Sequence, residues 1–319
     1  MMPDVTVGGQ AVLEGVMMRA PGVMTVAVRR QDGTIVIHKD ELTSPAERFP
    51  VLKWPFVRGL MALGQSLALG FKALDYSSAI AMDDIDRSQK PAGGSEPVPG
   101  TPEPKGMSTL SLIGVIAGAM VLGIGFFFFI PLYLTEFVAS SVHAVREHTL
   151  LFNAVDGIIR VIFLIAYVWA ISLMPDIRRV FQYHGAEHKA IFAYEAGCPL
   201  TPDHAKPFPT LHPRCGTAFL LTVMLVAILV FSLIPSTAAL WLKAISRIVL
   251  LPVIAGVSFE IIRKSGESDN RLLRAATAPG LWLQRITTRE PDDQQLEVGI
   301  AALQAALSQS RNDQYDIIV

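Results

Sequence analysis

The chain is short of charge. Lys, Arg, Asp and Glu make up 17% of its 319 residues, against 51% hydrophobic residues, and the mean hydropathy is +0.42. Ordinary soluble domains carry about 25% charged residues, so this composition excludes a typical water-soluble domain and points to a bilayer as partner. The formal net charge of −1 offers no basic surface and argues against a nucleic-acid partner. Cysteine is scarce too. Cys198 and Cys215 are the two present, and both fall in a segment assigned below to the cytoplasm, where a structural disulfide is not expected. The opening Met1-Met2-Pro3-Asp4 lacks the basic and apolar stretches of a cleavable signal peptide. Internal repeats and nucleotide-binding glycine fingerprints are missing as well.

What is present is apolar sequence in long runs. Four stretches approach the roughly 20 residues that a 30 Å hydrocarbon core requires: 110–134, 154–174, 217–234 and 240–262. The second contains Asp156 and Arg160, four apart, so the two can pair while the arginine snorkels outward. The fourth is interrupted by Lys243, Arg247 and Pro252 and is the weakest. Orientation follows from the basic residues, which cytoplasmic loops retain. Eleven Lys and Arg precede the first stretch, one lies in 135–153, five in 175–216 and seven after 262. Both termini and the long middle loop are thereby expected in the cytoplasm.

The remaining segments have their own patterns. Val23 to Arg30 and Thr34 to Lys39 are β-prone runs around Asp32-Gly33, a two-residue hairpin signal, so region 1–87 is expected to hold a small β element. From Arg58 to Ala81, Leu60, Leu63, Leu67, Phe71 and Leu74 recur at helical spacing, which predicts an amphipathic helix lying on the membrane or the bundle. Residues 88–108, rich in Pro and Gly, read as a linker. The bundle is expected over 109–262, and a helical tail over 263–319. In that tail Pro279-Gly280 predicts a turn, Trp282 sits at headgroup level, and Pro291 opens a helix with Leu296, Ile300, Leu303 and Leu307 on one face. The expected fold is a polytopic α-helical membrane protein of about four spans, with a small cytoplasmic α+β N-terminal part.

The chemistry concentrates in His184-Gly185-Ala186-Glu187-His188, within the middle loop. Residues i and i+4 share a helix face, so His184 and His188 can grip one metal ion while Glu187 reaches the same space. His-x-x-Glu-His is the spacing of inverted zincins, where imidazoles hold zinc and the glutamate is general base on the metal-bound water. The plain alternative is a helix with two surface histidines and an ion-paired glutamate. A third ligand has four candidates: Glu260, His212, Cys215 and Glu14. Glu260 resembles the downstream glutamate that completes inverted-zincin sites, while a Cys-His set suits a closed structural zinc. Each also has a simpler role: Glu260 can pair with Arg263 or Lys264, Cys215 can be a buried small residue, and Glu14 can stabilise a turn. His38, His143, His148 and His204 read as solvated. Pro199, Pro202, Pro207 and Pro209 suit an extended cover over the motif. Tyr183, Lys189 and Arg214 flank it, either to stabilise developing negative charge or as positive-inside anchors.

Four segments together carry a resemblance: Gly8-Gly9-Gln10-Ala11-Val12-Leu13-Glu14-Gly15-Val16-Met17-Met18-Arg19, Tyr183-His184-Gly185-Ala186-Glu187-His188-Lys189, His212-Pro213-Arg214-Cys215-Gly216-Thr217 and Thr287-Thr288-Arg289-Glu290-Pro291. They resemble the YqhQ-like family of bacterial membrane proteins, described as predicted metal-dependent enzymes, over nearly the whole chain. The resemblance implies a bacterial inner-membrane protein. The resulting expectation is a zinc-type hydrolase acting on a peptide or lipid-derived group at the inner membrane surface, with Glu187 catalytic. The rival is a non-catalytic scaffold, bound to other membrane proteins, in which a structural metal locks the loop. A transporter ranks last, because the spans show few paired ionisable residues.

Overall fold

In a computed structural model the described residues are 5–43, 49–89, 109–267 and 271–310, so the expected linker lies almost wholly outside them. Near the N-terminus, β1 (Gly8–Val12), β2 (Gly15–Ala20), β3 (Val23–Arg29) and β4 (Ile35–Glu41) form an antiparallel meander in chain order. Gln10 pairs with Met17, Met18 with Thr25 and Val26 with His38. Pro21 and Gly22, the latter at φ +77°, supply the Pro-Gly order of a type II turn between β2 and β3. The expected β3–β4 hairpin is present, but its loop is longer than two residues. The Arg30 N–H donates to the Thr34 carbonyl across it, Gly33 takes φ +87°, and the Asp32 carboxylate accepts from the Thr34 N–H and hydroxyl.

Both faces of β2 and β3 are covered. Helix α1 (Val57–Gln89) lays Ala73 and Ile80 on Met17, Met24, Val26 and Val28. Leu69, Leu74 and Tyr76 pack against the same cluster, while Leu60 and Leu67 of the expected apolar face stay exposed. The next helices are α2 (Thr109–Ile124), a π-helical segment (Gly125–Phe129) and α3 (Ile130–Ser141), which together form one 29-residue apolar rod from Ile113. The short α4 (His143–Glu147) leads into α5 (Thr149–Ser172). Then come α6 (Pro175–Glu195), α7 (Pro202–Ala205), α8 (Gly216–Phe231), α9 (Leu240–Val249), α10 (Leu251–Glu267), α11 (Arg271–Thr287) and α12 (Asp293–Ser310).

Among the described residues two helices, the 113–141 rod and α5, are long and apolar enough to cross a bilayer, and α9 with α10 makes a third if that pair counts as one span. This amends the expectation of four. Helix α8 has only 16 residues, about 24 Å at 1.5 Å per residue. The α9–α10 pair bends by 46°, because Pro252 lacks the N–H that would continue the helix and its ring clashes with the preceding turn. Val121, Leu122 and Phe137 on the rod are more than 70% exposed, an apolar surface larger than water tolerates and one that suits lipid. The turn expected at Pro279 does not form, since α11 runs through it.

The interior of the bundle is charged. Arg160 does not snorkel: its Nε donates to Asp156 Oδ2 at 2.9 Å, and its other nitrogens reach the Phe127 and Phe128 carbonyls at 3.4 and 3.3 Å. A side chain entering the backbone ladder is a known cause of such a widened turn. Arg247 donates to the same Asp156 oxygen at 2.9 Å, and Lys243 to Glu136 at 2.5 Å. Asp156, Arg160, Arg247 and Lys243 are all at least nine-tenths buried, so the sequence reading of few paired ionisable groups undercounts them.

Helix α12 closes the other side of the sheet. Asp292 and Gln295 cap it reciprocally: the Gln295 N–H donates to Asp292 Oδ1 at 2.8 Å, and the Asp292 N–H to Gln295 Oε1 at 3.0 Å. Leu296, Ile300 and Leu303 then pack with Val16, Met18 and Ala27 of the sheet and with Tyr183, Ala186 and Ala190 of α6. Strands, middle helix and tail thus share one core, which fixes the histidine helix.

Candidate metal centre

Helix α6 begins on Pro175 with Asp176 in its first turn and ends where Gly197 takes φ +68° and the Cys198 N–H returns to the Ala193 carbonyl. Two glycines let other backbones reach it. A Cβ on Gly185 would lie 2.1 Å from the Arg289 carbonyl oxygen, and one on Gly9 would lie 3.0 Å from the Glu187 side chain and 2.6 Å from the Met17 oxygen. The segment after α11 therefore crosses the motif on one side, while β1 crosses Glu187 on the other.

Helical spacing brings the His184 and His188 rings to 4.4 Å between centroids. Each Nδ1 meets a backbone carbonyl, that of Thr287 at 2.8 Å for His184 and that of Thr210 for His188. A carbonyl only accepts, so both protons sit on Nδ1 and each Nε2 presents its lone pair, the tautomer that metal-binding imidazoles use. Cys215 caps the N-terminus of α8, where the Thr217 N–H donates to its sulfur, and this sulfur lies 3.1 Å from His184 Nε2. Ligand atoms of His184, His188 and Cys215 all lie within 4.8 Å of one another. Two imidazoles with one cysteine sulfur are a donor set that suits zinc. Burial lowers the His188 pKa, which favours the neutral ring.

His212 differs from these two. Its backbone is clamped by Gln284, whose Oε1 accepts from the His212 N–H and whose Nε2 donates to the His212 carbonyl, both at 2.8 Å. Its Nδ1 accepts from the Arg214 N–H at 3.2 Å, so in the neutral ring Nε2 carries the proton. Burial pushes its pKa down, against the pull of Glu187. Glu187 is itself buried, which pushes its carboxyl pKa up; His184, His212 and the Gly9 N–H oppose that shift. Glu187 Oε2, His188 Nε2 and His212 Nε2 are buried without a hydrogen-bond partner, and all three residues line one cavity of about 480 Å³. Such atoms are costly to leave unmatched and mark a place for a bound species.

The other expected residues go elsewhere. Glu260 takes two hydrogen bonds from Arg58, at 2.7 and 2.6 Å, and stands outside the cluster. Glu14, at φ +51° in the β1–β2 turn, pairs with Arg179 and accepts from the Tyr183 hydroxyl at 3.3 Å. Lys189 is buried and structural. It donates to the Lys206 and Phe208 carbonyls at 2.6 and 2.7 Å and pairs with Glu290 at 2.7 Å, so it holds the proline-rich cover down. Arg214 pairs with Glu195 at the cavity wall. Two contributors escape a reading of the sequence alone: Gln284, and Arg19, which lines the cavity. Arg19 closes the first quoted segment, and that was its only signal.

A small sheet and a short apolar bundle, gripping a His-His-Cys cluster between them, define the class of this protein. Residues 54–309 match the family described as "Protein of unknown function (DUF1385)". The chain is also 35% identical over 318 residues to "Uncharacterized protein YqhQ" of Bacillus subtilis (strain 168), covering 98% of this chain and 97% of that protein. It belongs to this family. No solved structure matches it.

Proposed function

We propose that this protein is a zinc-type, metal-dependent hydrolase whose site lies at the cytoplasmic face of a bacterial inner membrane. The observation that carries the reading is the convergence of three ligand atoms within 4.8 Å on the wall of a cavity that Glu187 also lines. His184 Nε2, His188 Nε2 and Cys215 Sγ are the ligands. These three residues would hold the metal, which would supply Lewis acidity and activate a water near neutral pH. Glu187 Oε2 takes the proton of the attacking water. His212 Nε2–H donates to the oxygen on which charge develops, and Gln284 holds that ring in place. The basic residues of the middle loop support a cytoplasmic side for this site.

A second reading has one observation behind it. The His212 ring lies 5.5 Å from that of His188, so a turned His212 would close a four-ligand structural site and make the protein a scaffold. One experiment separates the two. His184→Ala, His188→Ala and Cys215→Ser should each lower the zinc content of purified protein, whereas Glu187→Gln should keep zinc and abundance but fail to complement a strain lacking the gene, a base being worth about 10²–10⁴ in rate. Full complementation by a zinc-replete Glu187→Gln variant would sink the hydrolase and leave the scaffold.

A further inference from the structure

The cavity holds a cation that its surroundings do not neutralise. Arg19 lies at the end region of β2 and lines the wall, and its hydrogen bond goes to the neutral Gln65 carboxamide at 3.4 Å. Among the described residues no carboxylate pairs with it. Burial lowers its pKa, as it lowers that of Arg214, so the shift reports desolvation, and it is the pairing that sets Arg19 apart. Arg214 on the same wall shows the contrast, because Glu195 already matches it. A partly desolvated guanidinium has a fixed fork of donors suited to phosphate or carboxylate oxygens.

Much of the rest of the wall is apolar. Val7, Met17, Leu69, Val180, Phe181 and Ile191 line it beside the polar cluster. The cavity also borders the exposed flank of α1 through Ser66 and the first residues of the apolar α8 through Gly216 and Thr217. The lining therefore combines polar and cationic groups with apolar side chains.

We propose that the cavity binds an anionic amphiphile, with a phosphate-class headgroup between Arg19 and the His184–His188–Cys215 cluster and an aliphatic chain along the apolar wall. The second anchor of the headgroup rests on the metal reading; the Arg19 anchor and the chain path do not. An anion that bridges a guanidinium and a metal satisfies both at once, and His212 Nε2–H is a further donor on the same wall. The chain gives the site a reason to sit at a membrane face: substrate reaches it from the lipid and not from water.

The test uses zinc-loaded full-length protein in a neutral maltoside detergent, with octyl phosphate below its micelle concentration as probe. Octyltrimethylammonium and inorganic phosphate serve as controls, and binding is followed by calorimetry. Octyl phosphate is expected to bind and the cationic octyl probe is not. Arg19→Gln should weaken octyl phosphate roughly tenfold or more, the worth of a charged hydrogen bond, with zinc content unchanged; Arg19→Lys should retain part of the affinity. Inorganic phosphate should bind roughly tenfold more weakly, or worse, for lack of the chain. Equal binding of inorganic and octyl phosphate would overturn the amphiphile in favour of a soluble phosphate compound. Unchanged octyl phosphate affinity in both Arg19 variants would overturn the proposal outright. Protein that binds no zinc yet still binds octyl phosphate through Arg19 would remove the metal reading and keep the anion site.

Discussion

Gly185→Ala is the sharpest probe of how the motif is built, because one added carbon meets backbone and not a yielding side chain. The new Cβ would stand 2.1 Å from the Arg289 carbonyl oxygen, 3.2 Å from its carbon and 3.3 Å from Pro291 Cδ. An ordinary carbon–oxygen contact needs more than 3 Å, so the 289–291 strap must retreat by about 1 Å. Two bonds are at stake in that retreat. The Arg289 N–H donates to the Phe181 carbonyl at 2.9 Å, and the Thr287 carbonyl accepts from His184 Nδ1 at 2.8 Å. Overpacking costs about 1–3 kcal/mol and each lost hydrogen bond about 0.5–1.5 kcal/mol, giving roughly 2–6 kcal/mol for the two bonds together. The control is the same substitution at Gly64, where a Cβ meets nothing within 4 Å inside α1. There alanine should stabilise by roughly 0.5–1 kcal/mol, since it restricts the unfolded chain. Thermal melts in detergent, with zinc content measured alongside, should move in opposite directions for the two variants, and only Gly185→Ala should lose metal. A Gly185→Ala protein that melts like the parent and keeps its zinc would refute the close approach on which this account of the motif depends.

Removing the shared acceptor of the charged bundle gives a further expectation. Asp156→Asn leaves Arg160 and Arg247 facing each other without a carboxylate and should cost about 3–5 kcal/mol, visible as lost abundance and a lower melting temperature; Asp156→Asn with Arg247→Met should recover much of it. No recovery in the double variant would mean that the two arginines are not coupled through Asp156. The orientation is checked by single cysteines at Ser141, Glu147 and Asp203, all exposed, against the labelling of the parent chain. The first two should react with an impermeant reagent applied outside the cell and the last should not; the opposite pattern would invert the topology.

Much of the site was legible because its signal is local. His184 and His188 are four apart on a helix, and that spacing alone places both rings on one face. The third ligand was not legible to the same degree: the sequence favours Glu260 and His212 over Cys215, yet Cys215 is the one clustered with the two histidines, and Glu260 was decided by Arg58, 202 positions away. The β3–β4 hairpin announced itself through Asp32-Gly33, while β1 and β2 did not. Their glycines weaken any strand pattern, yet they are demanded by neighbours distant in sequence, Gly9 by Glu187 and Gly15 by the Ala27 oxygen 2.2 Å from where its Cβ would be. The fourth stretch is bent beside a local signal that was visible, Pro252, and makes a span only if its two helices are taken together, whereas the third falls short because its helix, α8, stops at Phe231. Arg19 remained hidden because its meaning lies in the absence of a counter-charge around it, which no pattern of spacing records.

The shared use of Asp156 also orders the making of this protein. As helix α5 leaves the ribosome, Asp156 and Arg160 can enter the lipid as a neutral couple, one turn apart. The rod before it is different: the carbonyls of Phe127 and Phe128 wait for an arginine that has not yet been synthesised. Arg247 comes later still, and it can leave water only when the carboxylate is already in place. Folding in the bilayer is therefore sequential, with α5 as the element on which its neighbours settle from both sides, and a chain halted before residue 240 would hold its first two apolar helices together without yet committing the third.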